Sequence, residues 1–450
     1  MKKIRIGCGA GCSYDRVEPA VELVLKGNLD YLVFECLAER TIANAQQLKL
    51  KDPTKGYTPM LEERMRKILK LAQENGTKIV TNMGGANPSA AVDLVVQIAK
   101  ELGLKNLKIA LVTGDDILDI IDHYKNQRLW KSTKTLGELE GEIVSANVYL
   151  GSDAIREALA NGADVVITGR VADVALFVGP LKYEFGWENT DFEKMGQATL
   201  LGHLLECAGQ LTGGYYADPG YKDVPDLHRL GFPIAEMDET GSFIVTKVKG
   251  SGGVVNLGTC KEQLLYEITD PANYITPDAI ADFSQVKFEQ IAENVVRVTG
   301  ACSKGVPDTY KVNIGYSDCY IGEGEVSFGG LNALNRAKLA AEVIEKRLEI
   351  VGANLEEFRA DYIGFNSLYR SKISTQFSPD FYSEIRLRVS GRTKTYEDAA
   401  LVAKEVDYLY TNGPAGSSGI TTKVQKVISI TNILIPKKDV KPVVTYREVI

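Results

Sequence analysis

The chain has 450 residues, 44% hydrophobic and 25% charged, with a formal net charge of −7 and a sequence pI near 5.4. This composition suits a soluble globular chain of two or three domains and excludes disorder. With no long run of one sign, the acidic balance gives no footprint for nucleic acid or an anionic membrane, so a small-molecule ligand is expected.

In chain order, the first half alternates. Apolar, β-branched runs near 4–6, 31–34, 78–82, 108–113, 143–149 and 164–168 are separated by helical periodicity over 17–26, 59–75, 88–102 and 152–161. Strands alternating with helices imply βαβ crossovers, so residues 1–218 are expected to form a doubly wound, mostly parallel, Rossmann-like α/β domain. Asn87-Pro88-Ser89 supplies a capping amide and a proline at a helix start, and Gly76 and Gly103 stand where helices stop. After Asp218 the pattern changes. Prolines recur at 219, 225, 233, 271, 277 and 307, with strand-like runs at 243–248, 253–257, 294–300 and 309–315. A helix over 332–349, runs at 361–365 and 384–390 and a helix over 397–410 complete an expected α+β domain, 219–450.

Start and cysteines bear on location. Met1-Lys2-Lys3-Ile4 passes directly into a strand-like run without the apolar core of a signal peptide, and no stretch has the length of a membrane span. Seven cysteines, at 8, 12, 36, 207, 260, 302 and 319, include no C-x-x-C pair. Reduced thiols in the cytoplasm are the expectation, rather than a disulfide framework or zinc ribbon.

In open parallel sheets, ligands bind outside the carboxyl ends of the strands. Five runs here end in polar loops, which together describe one crevice. The first, Gly7-Cys8-Gly9-Ala10-Gly11-Cys12-Ser13-Tyr14-Asp15-Arg16, has alternating glycines, and Glu35 ends the second strand where a ribose-binding acid would stand. Cys12 occupies a position where G-x-G-x-x-G needs Gly or Ala, and helical pattern resumes only at Glu18-Pro19, which argues against NAD or FAD. A tight turn or a loop for another ligand remains, with Asp15 and Arg16 as polar groups. Glu35 and Glu39, four apart, suit acid, base or metal-ligand roles, or merely a solvated first turn. Asn82-Met83-Gly84-Gly85-Ala86-Asn87 combines two amides and two glycines before a helix and suits a carboxylate or phosphate, or a plain turn. In Asp115-Asp116 one residue reads as an N-cap, and Asp115 counts among the ligand-binding groups of the crevice. Arg170, in Thr168-Gly169-Arg170-Val171-Ala172-Asp173, suits bidentate binding of a carboxylate, or an internal pair with Asp173.

The most specific pattern is a helix expected over 194–210. Leu200, Leu201, Leu204, Leu205 and Ala208 fall on one face, and His203, Glu206, Cys207 and Gln210 on another. An imidazole, a carboxylate and a thiol together are unusual on a helix face, in a chain with three histidines; a partly buried contact is the plain alternative. Gly213, Gly214 and Asp218 follow and are placed near the same region. His123 and His228 read as surface residues. Gly250-Ser251-Gly252-Gly253 and the glycine-rich segment 412–419 suit either turns or an anion, and no G-x-S-x-G elbow frames a nucleophile.

Together the segments resemble the acyclic terpene utilisation (AtuA) family, from near residue 5 to about residue 420. The resemblance is carried by Ile167-Thr168-Gly169-Arg170-Val171-Ala172-Asp173, Gly202-His203-Leu204-Leu205-Glu206-Cys207 with Thr212-Gly213-Gly214, Gly231-Phe232-Pro233-Ile234-Ala235-Glu236, Glu262-Gln263-Leu264-Leu265-Tyr266-Glu267 and Tyr320-Ile321-Gly322-Glu323-Gly324. It implies a part in breaking down citronellol-type and geraniol-type terpenoids through carboxylated acyl-CoA intermediates, without a settled reaction. Long members carry a further ferredoxin-like domain, and this chain stops at Ile450, so a separate small ferredoxin-like subunit is expected beside a homo-oligomer.

The resulting expectation is a cytoplasmic catabolic enzyme acting on a carboxylated acyl-CoA or small multi-carboxylate by acid–base hydration, elimination or lyase chemistry. Arg170 and the 82–87 amides would hold a carboxylate, and His203 would carry the proton. Glu206 would orient it, with Cys207 and Asp173 completing the set. The alternatives are a ligand-binding or scaffold subunit, and metal-assisted catalysis through His203, Glu206 or Asp218. No cofactor is identified beyond acyl-CoA as a substrate.

Overall fold

The computed structural model describes residues 2–377 and 382–450. The early β-branched runs become β1 (Lys3–Ala10), β2 (Tyr31–Phe34), β3 (Lys78–Thr81), β4 (Leu107–Thr113), β5 (Ile143–Val148) and β6 (Val165–Thr168). Among them lie α1 (Glu18–Lys26), α2 (Glu39–Lys51), α3 (Leu61–Asn75), α4 (Pro88–Glu101) and α5 (Asp153–Ala160). Next come α6 (Ala175–Phe185), α7 (Phe192–Leu205), β7 (Pro233–Asp238), β8 (Phe243–Lys247), α8 (Leu257–Leu265), β9 (Tyr274–Ile275), β10 (Ile280–Asp282), β11 (Lys287–Ala292), β12 (Val295–Thr299) and β13 (Cys302–Ser303). The long β14 (Thr309–Gly329) leads to α9 (Ala333–Ile350), β15 (Glu357–Ile363), α10 (Arg370–Ser374), β16 (Glu384–Thr393), α11 (Tyr396–Asn412), β17 (Ser417–Pro436) and β18 (Val443–Val449).

Ten strands form one sheet in the order β11-β12-β8-β7-β1-β2-β3-β6-β4-β18. The central block β1, β2, β3, β6 and β4 is parallel throughout. Two of its four-residue strands, β2 and β6, are buried at every residue, as a strand covered on both faces requires. Both flanks are antiparallel: β7, β8, β12 and β11 extend the sheet beyond β1, and β18 pairs with β4. The sheet is therefore mixed, not mostly parallel. β5 lies outside it and pairs with β14.

Two compact units divide the chain. The first comprises Met1–Leu139, Ile143–Gly315 and Ile430–Ile450, and the second Glu140–Glu142 with Tyr316–Ser429. Position 218 lies inside the first unit, because Ala235 of β7 pairs with Ile6 of β1 and the proline-rich segment is a connection within one sheet. The expected run at 253–257 is not a strand: Asn256 caps α8 by accepting from the N–H groups of Gly258 and Thr259.

The second unit has strand order β15-β16-β14-β17, with α9 and α11 as connections, the split βαβ arrangement of ferredoxin-like domains. Ala337, Ile344, Val402 and Val406 of the two helices pack with Val326, Phe328, Ile385, Leu387 and Val389 from one sheet face. Residues of opposite pleat carry ion pairs, Arg386 with Glu325 and Arg388 with Asp361. The glycine-rich segment 412–419 belongs to this unit, between α11 and β17.

Candidate functional site

Because β1, β2, β3, β6 and β4 run parallel, their carboxyl ends share one sheet edge, and the five polar loops gather there. Buried side-chain contacts knit neighbouring loops together. Asn82, fully buried after β3, accepts from the Cys36 N–H at 2.7 Å and donates to Glu35 Oε1 at 2.9 Å. Asp115, after β4, accepts the Arg170 N–H at 2.8 Å and the Asn147 amide at 3.0 Å. Gly169 permits that approach, since a Cβ there would lie 2.4 Å from Asp115 Oδ1. Burial raises the Asp115 carboxyl to about 6, against the opposing Arg170 and Asn147 bonds. Neither aspartate is a helix N-cap: Ile117 holds that position before Leu118–Tyr124, and Asp116 accepts from the Leu118 N–H at 3.1 Å in an Asx-type turn.

Arg170 forms the centre. Its side chain is buried, and Nη1 donates to Asp173 Oδ1 at 2.5 Å and to the Val171 carbonyl at 2.8 Å. The guanidinium carbon lies 3.9 Å from the Tyr149 ring centroid. Burial alone would favour the neutral base, but Asp173, Tyr149 and Glu35 outweigh it and keep Arg170 cationic. Nε is buried without a hydrogen-bond partner. Glu35 also lies within electrostatic reach: burial and then Asp173 push its carboxyl well up, while Arg170 and the bonds from Asn82 and Leu37 oppose. Lys311 Nζ stands 2.9 Å from Glu39 Oε1 and 4.5 Å from the Tyr149 ring centroid. Burial raises Glu39, yet Lys311 prevails and holds it at about 2. Glu35 ends its strand and Glu39 starts α2, so the two share no helical turn.

α7 ends at Leu205, with Glu206 as its C-cap, and a left-handed Ala208 (φ 42°) breaks the expected helix before Gln210. The helix is buried all round from Met195 to Leu205, so the two-faced reading gives way to a core helix. His203 is 1% exposed, with Nδ1 3.1 Å from Glu206 Oε1 and Nε2 3.2 Å from the Leu264 carbonyl. Tyr274 and Phe283 flank the ring at centroid distances of 5.1 and 5.9 Å. A carbonyl only accepts, so Nε2 carries the hydrogen and the Nδ1 lone pair accepts a hydrogen bond from the Glu206 carboxyl. Burial lowers His203 to about 4. Burial, then Asp173 and Glu267, push Glu206 well up against Arg170. The pair is thus neutral imidazole and carboxylic acid rather than an ion pair. Glu206 Oε2 is buried and unpartnered. Burial and the neighbouring Glu206 also raise the Cys207 thiol, which disfavours a thiolate nucleophile.

Other expected residues hold the scaffold. Asp15 Oδ2 accepts from the N–H groups of Gly11 and Cys12, at 2.7 and 3.2 Å. The first glycine run is mostly strand, since β1 continues to Ala10; a Cβ on Gly9 would meet Phe34 at 2.6 Å. Arg16, exposed, donates to the His228 carbonyl at 3.1 Å. Asn87 donates to the Pro53 and Lys55 carbonyls at 2.7 and 2.8 Å and caps α4, so its amide is engaged away from a ligand. Gly84 packs against the Thr168 carbonyl, and Gly85 turns toward Gly56. Gly213 and Gly214 form a turn back onto Gly209 and Gln210, and exposed Asp218 pairs with Lys222 through the backbone. No contact joins Asp218 to His203 or Glu206 among the described residues. No three His, Cys, Asp or Glu side chains there are grouped to hold a metal ion. Sequence reasoning missed Tyr149, Asn147 and Lys311; for the first two the signal was a sixth run, 143–149, which contains them.

A mixed α/β protein with an arginine-centred cluster of buried polar side chains at its parallel strand ends is the class these features define. The family model described as "Acyclic terpene utilisation family protein AtuA" matches residues 4–446, and the chain belongs to that family. Membership ties it to acyclic terpene utilisation and suggests a catabolic role. No curated protein matches it. Among the described residues, no helix is long and apolar enough to cross a membrane.

Proposed function

We propose that this protein is a catabolic enzyme that binds a carboxylated acyl-CoA or small multi-carboxylate at the strand-end crevice and moves a proton on it, in hydration, elimination or lyase chemistry. The observation that carries the reading is the pair of buried, unpartnered atoms on two ionisable groups of one electrostatic cluster, Arg170 Nε and Glu206 Oε2. Buried polar groups are normally paired, so orphans of donor and acceptor type that lie within one electrostatic cluster mark a place for a polar ligand. Arg170, held by Asp173, offers Nε–H to an anionic oxygen. Glu206 carries the exchangeable proton. His203, with both nitrogens engaged, positions Glu206 rather than meeting the ligand, which exchanges the two roles expected from sequence. Negative charge developing on a ligand oxygen is stabilised by the fixed guanidinium in a dry site.

The test uses the full chain with malonyl-CoA, succinyl-CoA, glutaryl-CoA and succinate. Titration calorimetry reads binding, and proton NMR in D₂O reads exchange of α-hydrogens. Arg170→Met is expected to abolish binding. Glu206→Gln is expected to bind while losing exchange about 10²–10⁴-fold, the range for a removed acid–base group. Unchanged binding in Arg170→Met, or intact exchange in Glu206→Gln, overturns the assignment.

A further inference from the structure

Tyr149 follows β5, a strand outside the ten-stranded sheet. Its N–H donates to the Lys311 carbonyl at 2.9 Å, which ties this separate element to the strand carrying Lys311. The ring is 8% exposed and lies beside two cations, with Arg170 Cζ at 3.9 Å and Lys311 Nζ at 4.5 Å from its centroid. Each cation has its own carboxylate: Asp173 for Arg170, and Glu39 for Lys311. The ring is therefore fixed by cation–π contacts whose charges are balanced elsewhere. Its hydroxyl is what remains. Buried Tyr149 Oη has no hydrogen-bond partner of ordinary geometry, although it interacts with Glu39 and Arg170 at its edge and a buried tyrosine O–H ordinarily finds a well-placed partner.

We propose that Tyr149 is a catalytic residue, the second donor of an oxyanion site. Its O–H and the Nε–H of Arg170 receive the carbonyl oxygen of the bound ligand as the adjacent carbon gives its proton to Glu206. This inference rests on the proton-transfer reading above and adds the group that stabilises its transition state. No bond to Tyr149 is made or broken. The C–H pair of electrons moves into the C–C–O system, the proton passes to Glu206 Oε2 as the proton already on Glu206 Oε1 moves to His203 Nδ1, and the phenol keeps its own proton. Burial, ahead of the opposing Arg170 charge, pushes the phenol upward, so a donor is present throughout the reaction. The ligand oxygen must therefore be a carbonyl that gains charge, as in a thioester or a protonated carboxyl, next to a carbon bearing an acidic hydrogen.

The experiment measures α-hydrogen exchange in D₂O by the full chain with malonyl-CoA, succinyl-CoA and glutaryl-CoA. Tyr149→Phe keeps the ring and its packing; it is expected to slow exchange about 10²–10³-fold, as loss of one oxyanion donor does, with Kd changed less than threefold. A second variant replaces Tyr149 with 3-fluorotyrosine, which keeps the hydroxyl and nearly the shape, and is expected to keep exchange within about threefold of wild type. Exchange within threefold of wild type in Tyr149→Phe, or a 3-fluorotyrosine protein as slow as Tyr149→Phe, overturns the inference. If Glu206→Gln loses exchange while Tyr149→Phe keeps it, the parent reading stands and the Tyr149 role falls. If wild type neither binds nor exchanges any of the three, both fall.

Discussion

Replacing Glu206 with glutamine distinguishes a neutral pair from a buried ion pair. His203 Nε2 faces a carbonyl at 3.2 Å and Nδ1 faces Glu206 Oε1 at 3.1 Å, so the acid is the donor across the second contact. Glutamine can donate there too, and a neutral hydrogen bond contributes about 1 kcal/mol net, so Glu206→Gln should cost less than about 1 kcal/mol. Had His203 been an imidazolium against a carboxylate, removing one charge would cost about 3–5 kcal/mol. For a unit of this size those alternatives correspond to a Tm drop below about 1.5 °C against roughly 4–7 °C. Calorimetric melting of the full chain at pH 7 measures it, with ¹⁵N NMR of labelled histidine reporting Nδ1 without a proton. A drop beyond about 4 °C, or a protonated Nδ1, refutes the assignment. The sign of the pH effect follows. His203 is depressed from 6.5 to about 4, so the unfolded chain takes up the proton first, and stability present above 6.5 is lost as pH falls toward 4, by roughly 3 kcal/mol.

Asp115 acts in the opposite sense. Its carboxyl is raised from 3.8 to about 6, so stability present below 3.8 is lost as pH rises through 6; Asp115→Asn should remove roughly 3 kcal/mol of that slope, seen by comparing melting at pH 4 and pH 7.5. An unchanged slope would count against a buried acid. Gly169→Ala places a Cβ 2.4 Å from Asp115 Oδ1 and should cost about 1–3 kcal/mol, with faster amide exchange at Arg170; unaltered exchange there contradicts the clamp. Lys182, 1% exposed, donates to Asp153 and Asn189 and lies 4.0 Å from Asp278 Oδ1. Lys182→Met should cost about 3–5 kcal/mol by leaving Asp278 buried without its cation. Adding Asp278→Asn should restore most of it in the same melting assay, and no restoration would break the pairing argument.

The parallel block was legible because strands covered on both faces must be continuous apolar runs, as Tyr31-Leu32-Val33-Phe34 and Val165-Val166-Ile167-Thr168 are. The cap at Asn87 was legible because capping is local. The antiparallel flank was not: β7 finds β1 through Ile6 and Ala235, far apart in sequence, and no local pattern names that partner. Glycines at 7, 9 and 11 resembled a phosphate cradle but serve close packing, which depends on side chains that only the fold brings near. At the site, Arg170 and Asp173 could be singled out from their place after a strand. His203 and Glu206 could be paired by spacing, yet which of them carries the proton depends on the Leu264 carbonyl, 61 residues away. Tyr149 carried no motif at all.

β18 closes the sheet by pairing Val443 with Thr113 and Val449 with Leu107, so the outer edge of β4 finds its partner only after 330 further residues. At about 5–20 residues per second, synthesis of that stretch takes roughly 20–60 s. Through that interval a nascent chain exposes an unpaired apolar strand, the kind of edge that invites pairing with the wrong molecule. The second unit, Tyr316–Ser429, is made wholly within the same interval and has a core of its own. Chaperone dependence should therefore centre on residues 107–113 and fall away once the last strand emerges, so the flank that carries Asp115 is the last to be sealed.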